Sequence, residues 1–270
     1  MPPVTLTPAL RQEYERLFNA MDIVPARQGT VDRLCDGIVA DRARYAAVER
    51  SSGVPWPFVA VVHNMEADRR FDRHLHNGDP LTARTRQVPA GRPKAGAPPF
   101  TWEVSCADAL ACRSLSGAND WSLGGMLYQL EGYNGWGYRR FHPHVLSPYL
   151  WSFSSHYDRG KYVADGRWSD DARSAQCGAA VLLRRLAERG AIHLADQPAP
   201  PPPAAAEPMV RYSAARPKDA AAAARAEDLQ RWLNTFPGIF VKVDGAPGQR
   251  TSDAYRRVTG HLLPGDPRVA

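Results

Sequence analysis

Residues 55–80 read PWPFVAVVHNMEADRRFDRHLHNGDP. From Pro57 to Met65 nearly every position is apolar, which predicts a helix buried on all sides rather than one with a single core-facing stripe. The run ends at Glu66, turns polar, and closes in the turn sequence His76-Asn77-Gly78-Asp79-Pro80. A carboxyl group at the C-terminal end of a buried helix meets apolar surroundings and the negative end of the helix dipole. Both disfavour its charged form and raise its pKa. A carboxyl still protonated near neutral pH is what a general acid needs.

The flanking sequence is helical on both sides. Thr7-Pro8 reads as an N-cap with proline at the first helical position, and Leu10, Tyr14, Leu17, Phe18 and Met21 follow at helical spacing. Val31, Leu34, Ile38, Tyr45 and Val48 repeat the pattern over Thr30 to Arg50, which predicts one helix there. Residues 82–100 are rich in Arg, Pro, Gly and Ala without periodicity, a long loop near the Glu66 turn. Helices are expected over Trp102–Cys112 and Trp121–Glu131, then a glycine-punctuated aromatic stretch (131–138) that ends the helix. Ser147 would cap a short helix bearing Tyr149, Lys161–Gly166 an extended piece and turn, and Asp170–Arg189 a last amphipathic helix ending at Gly190. No βαβ alternation occurs, so the class is all-α.

PAPPPPAAAEP at 198–208 reads as an extended linker. It divides the chain into residues 1–196, a linker at 197–209 and a module at 210–270. In the module an Ala-rich helix (Lys218–Leu233), a short strand (Val241–Gly245) and a second helix (Thr251–Val258) are expected. Residues 209–270 hold ten Lys/Arg against six Asp/Glu, so most of the chain's +6 charge lies there, which suits a polyanionic surface. The four cysteines form no CxxC pair and read as reduced core residues. No apolar run reaches membrane-spanning length, and the N-terminus lacks the pattern of a secretory signal. A substrate outside the cytoplasm would therefore need another export route.

The order of these features carries a resemblance. A buried helix ending in Glu66, an aromatic Tyr133-Asn134-Gly135 and a later helix bearing Tyr149 are similar to the lysozyme-like lytic transglycosylases and goose-type lysozymes. The resemblance spans roughly residues 30–190. It implies a lysozyme-like helical domain in which Glu66 is the catalytic acid, Tyr133 and Asn134 line the sugar site, and Tyr149 hydrogen-bonds the acid. Glu66 is followed by Ala67, where many transglycosylases have Ser, and no Gly-Leu-Met-Gln segment is present. The tail, with Leu229-Gln230-x-x-Leu233 and Val243-Asp244-Gly245-x-Pro247-Gly248-x-x-Thr251-x-x-Ala254, looks like a small three-helix peptidoglycan-binding module. Its Thr251 would cap a helix, and Leu229, Leu233 and Ala254 would form its core. Its end, Gly265-Asp266-Pro267-Arg268, departs from the usual Phe-Gln finish.

Other residues are weighed beside these. Asp79 is a candidate second carboxylate that could activate water in an inverting hydrolase, or simply the Asp of an Asp-Pro turn. His63-x-x-Glu66, His74-x-His76 and His142-x-His144 could form a metal site, yet no HExxH occurs and scattered polar histidines account for them better. Trp136, in its glycine loop, is the best surface aromatic for stacking on a sugar. The expectation is a cofactor-free, metal-free, monomeric enzyme that cleaves the β-1,4 bond between N-acetylmuramic acid and N-acetylglucosamine in peptidoglycan. It would act on the cell wall, as a phage endolysin, effector or housekeeping enzyme does, with no nucleic-acid partner. The rival readings are a wall-binding protein with a degenerate lysozyme-like domain, and a metal-dependent amidase.

Overall fold

The computed structural model describes residues 4–117, 119–164, 166–194 and 210–268. The proline-rich stretch at 197–209 lies outside these residues. The fold is mostly helical with one small antiparallel sheet. Helices α1 (Pro8–Ala20), α2 (Gln28–Ala40), α3 (Arg42–Ser52) and α4 (Trp56–Ala67) precede a long irregular segment. Then come α5 (Trp102–Cys112), α6 (Leu123–Asn134), α7 (Gly137–Phe141) and α8 (Pro148–Trp151), the strands β1 (Lys161–Ala164) and β2 (Arg167–Ser169), α9 (Ala179–Glu188), α10 (Ala220–Leu233) and α11 (Gln249–Thr259).

Helix α4 is the centre of the first part of the chain. Phe58, Val59, Ala60, Val61 and Val62 have no exposed surface. They pack among α2, α3 and α6, and each large side chain so buried contributes about 1.5–3 kcal/mol. Asp68, left-handed at φ 46°, ends the helix by returning its N–H to the His63 carbonyl. Arg69 is left-handed as well, at φ 59°. Its guanidinium lies on Gly37 of α2, where a Cβ would come within 2.0 Å of it, and donates to Asp41 at 3.2 Å. The turn that ends α4, just past Glu66, thus packs the Arg69 guanidinium on a glycine of α2 and is tied to Asp41.

Several elements differ from expectation. The single helix foreseen over residues 30–50 breaks at Asp41, whose backbone leaves the helical region and links α2 to α3. Helix α6 runs through Gly132 to Asn134 and stops at Gly135 (φ 97°). Gly132 stays helical because its missing side chain makes room for the Trp136 ring, 3.0 Å from where a Cβ would stand. Only 179–188 of the foreseen helix at 170–189 is helical. Just before it, Gly178 approaches the Leu150 carbonyl so closely that a Cβ would lie 2.2 Å away. The extended piece foreseen at 161–166 contains β1, which pairs antiparallel with β2.

The chain divides into two compact units, residues 1–14 with 22–185, and residues 15–21 with 186–270. The C-terminal unit takes in the end of α9 and part of α1 together with the residues after the proline-rich stretch. Within that unit Phe18 meets Phe240 edge-on at 5.4 Å, and the Arg257 guanidinium donates to the Glu188 carbonyl at 3.4 Å. Its core gathers Val210, Leu229, Leu233, Ile239, Val241, Ala254, Tyr255 and Leu263, in keeping with the packing roles expected of Leu229, Leu233 and Ala254.

Two helices, α10 and α11, form the described part of the module. Residues 241–245 are a loop, not a strand, because Gln230 holds them. Its amide oxygen accepts from the Asp244 and Gly245 N–H groups, both at 2.9 Å. Its nitrogen donates to Asp244, the Ala246 carbonyl and Thr251 at 3.0–3.3 Å. Thr251 lies inside α11 and serves this network instead of capping. At the unusual C-terminus Asp266, buried, accepts from Ser252 at 2.5 Å, and Arg268 joins it to Asp253. Gln230→Ala is expected to lower stability by about 2–3 kcal/mol, because it strands buried N–H and carbonyl groups. Urea unfolding checks this, and a loss below about 0.5 kcal/mol would show the loop holds itself.

Candidate functional site

Glu66 sits in the last turn of α4, and the phenolic O–H of Tyr149 on α8 donates to its Oε1 at 2.9 Å. Glu66 is exposed as a residue, yet the protein packed around its carboxyl pushes its pKa above the usual glutamate range. The hydrogen bond from Tyr149 and the charge of Arg113 act in the opposite direction and limit the rise. Tyr149 is buried, and both burial and the neighbouring carboxylate drive its own pKa well up, so it remains a donor.

Tyr133 lies within electrostatic reach of both groups. Its position is set by Arg113, just past the end of α5. The guanidinium donates to the Tyr133 carbonyl at 2.9 Å and stands 3.8 Å over its ring. On the other side, Gln176 donates its side-chain amide to the Met65 carbonyl at 2.6 Å and so fixes the peptide next to Glu66. Neither Arg113 nor Gln176 belongs to a sequence pattern; only the fold brings them here. A protonatable carboxyl, a phenolic donor and a nearby cation can deliver a proton to a leaving oxygen and stabilise the carboxylate left behind.

The remaining candidates have other neighbours. Asn134 is exposed at the last position of α6, and Trp136, half-buried, rests on Tyr128 with ring centroids 4.9 Å apart. Asp79 builds a turn. Its Oδ2 accepts from the backbone N–H groups of Arg86 (2.7 Å) and Gln87 (3.1 Å) and from Asn77 (3.1 Å). These bonds pull its pKa down and so weaken it as a base.

The histidines are similarly committed. His63 is buried among Tyr45, Phe71 and Trp102, with Nδ1 on the Tyr45 hydroxyl and Nε2 on the Arg70 carbonyl, both at 3.2 Å. Burial lowers its pKa to about 4, so it is neutral and structural. His74 bonds Ser105 at 2.6 Å and the Ala83 carbonyl at 2.8 Å. His142 stacks on Trp168 at 3.5 Å. Among the described residues one trio, His76, Asp108 and Cys112, is close enough to share a metal ion. The Arg92 guanidinium already occupies the same Asp108 oxygen as His76, at 2.8 Å, and supplies the positive charge a metal would bring. All four cysteines are free thiols, and among the described residues no helix is long and apolar enough to cross a membrane.

One prediction tests the Glu66–Tyr149 pair. A general acid works below its pKa, so activity should fall as pH rises through it. The Tyr149 hydrogen bond stabilises the carboxylate and lowers that pKa. Tyr149→Phe should therefore move the alkaline limb of the pH–rate profile upward, by about half a unit or more, while reducing the rate. An unmoved or downward-shifted limb would separate Tyr149 from the titrating group.

No family model matches the chain, and no curated protein or solved structure matches it either.

Proposed function

We propose that the protein is a peptidoglycan glycosidase that cleaves the β-1,4 N-acetylmuramic acid–N-acetylglucosamine bond, with Glu66 as general acid. The observation that carries this reading is the Tyr149–Glu66 hydrogen bond at the end of a buried helix, on a carboxyl whose pKa its surroundings raise. The substrate class comes from the resemblance described above. The geometry by itself supports acid-assisted cleavage of a bond to oxygen.

Glu66 protonates the glycosidic oxygen, and Tyr149 steadies the carboxylate that forms. As carboxylate, Glu66 is then the base for the second step. It takes a proton either from water, which gives a reducing end, or from the muramoyl 6-hydroxyl, which gives an anhydro end. The second route needs no second carboxylate, and this suits a site where Asp79 is engaged in its turn. The tail unit would hold the enzyme on the wall.

Mass spectrometry of fragments released from purified wall tests the proposal, since it identifies both the bond cut and the end group. Muropeptides with intact stems and new muramic-acid ends are expected, at a rate unchanged after dialysis against EDTA. Free stem peptides, or activity that EDTA removes and zinc restores, would instead make the protein an amidase.

A further inference from the structure

Away from Glu66, on the other side of α8, lies a cavity of about 360 Å³. Ser147 and Trp151 line it, whereas Tyr149, two positions from each, is the residue that meets Glu66. Residues two apart on a helix point to nearly opposite faces. The cavity is therefore separate from the proposed catalytic site.

Its charged wall is a network. The Arg139 guanidinium donates to both oxygens of the buried Glu131 (2.9–3.3 Å) and to Glu13 Oε1 at 3.1 Å. The Tyr14 hydroxyl also donates to Glu131. Arg139 thus spends its donors on two carboxylates, and the lining keeps two negative charges against one positive. An anion would have to pull Arg139 from both partners. The unsatisfied capacity is on the accepting side: Glu13, a third exposed, has an oxygen beyond the one bound to Arg139.

A second observation is independent of that charge. Ser147 is only 4% exposed, and its hydroxyl has no hydrogen-bond partner among the described residues. It stands at the N-cap position of α8 but does not cap it, contrary to the sequence expectation. A buried hydroxyl left without a partner in a wall of a cavity is unusual enough to call for a ligand. The other walls are aromatic or aliphatic, with Tyr138 and Trp151 on one hand and Val145 and Leu146 on the other. Such walls accept an alkyl chain, and the ring faces attract a cation.

The geometry points to a binding site for a primary alkylammonium group, of the size and kind carried by a lysine side chain. The ammonium would donate to Glu13 and to the Ser147 hydroxyl, with its methylene chain against Val145 and Leu146. This site stands or falls independently of the glycosidase reading.

The test is titration of the full-length protein with Nα-acetyl-lysine amide, followed by calorimetry and by protein NMR. Saturable 1:1 binding is expected, weakening as salt rises. Glu13→Gln should weaken it at least about tenfold, and Ser147→Ala severalfold with a thermal melt no lower than wild type. Asp171→Asn, at an exposed position, and Glu66→Gln should leave it unchanged. Three results would overturn the proposal. One is no saturable binding at millimolar ligand. Another is equal affinity for the uncharged norleucine analogue, or for a methyl glucopyranoside whose binding Glu13→Gln does not alter. The third is loss of binding in Glu66→Gln, which would place the ammonium at the catalytic carboxyl.

Discussion

Glu66→Gln is expected to lower wall lysis by at least about a hundredfold, the scale of a lost general acid. The thermal melt should stay within about 2 °C of wild type. The amide has the volume of the carboxyl and can still accept from the Tyr149 hydroxyl at Oε1, so the packing at the end of α4 is kept. What it lacks is a proton to give. The substitution also replaces an ionisable group in a desolvating environment with a neutral one, so no loss of stability at neutral pH is expected from electrostatics. Turbidity clearing of purified wall gives the activity, and circular dichroism the melt. A variant that keeps a tenth of wild-type activity with a matching melt would remove Glu66 from the mechanism. In that case the same carboxyl would be a structural partner of Tyr149, and the wall-binding reading would gain.

Much of this site could be read from the chain, for a definable reason. Pro57–Met65 is apolar all round, and such a segment has no stable place except inside a core. The position of Glu66 at its polar end followed directly. The partner was harder. Tyr149 is legible only through a resemblance in the order of features; residues 66 and 149 are brought together by the packing of α8 on α6 and of α6 on α4. Arg113 and Gln176 carried no signal at all, because a backbone carbonyl as partner leaves no mark on sequence spacing.

The misread elements share a cause. Gly132 and Gly178 looked like a helix stop and an ordinary helical position. Their function is to admit a neighbour: the Trp136 ring in one case and the Leu150 backbone in the other. Close approach is a tertiary property, and it decides which glycines break a helix. Residues 241–245 failed in the same way. Their Val-x-Val pattern suggests a strand, but in place of a pairing strand the segment meets Gln230, whose side chain satisfies the backbone directly. Pro198–Pro208 stands out in composition, and the compact units part at Arg185 and Leu186.

The extent of the C-terminal unit bears on what removal of the tail should do. The module's hydrophobic core gathers side chains from Val210 to Leu263, so residues 209–270 should fold alone and sediment with purified peptidoglycan. Their ten basic against six acidic side chains should make that binding weaken with salt. The remaining piece, residues 1–197, loses the ring that Phe240 sets against Phe18 and the bond from Arg257 to the Glu188 carbonyl. An aromatic pair is worth about 0.5–1.5 kcal/mol beyond its buried area, so a measurable drop in its melt is expected. Clearing of intact wall should fall at least about tenfold, because tethering to an insoluble substrate raises effective concentration. Cleavage of soluble glycan fragments, assayed well below the melt of the shortened protein, should change less than about threefold. Phe240→Ala in the full chain separates the two effects: it should reproduce the loss of stability while keeping wall clearing. A tail that stays in the supernatant, or a truncation that lowers both assays equally at matched folding, would make these residues part of the enzyme's scaffold and not its anchor.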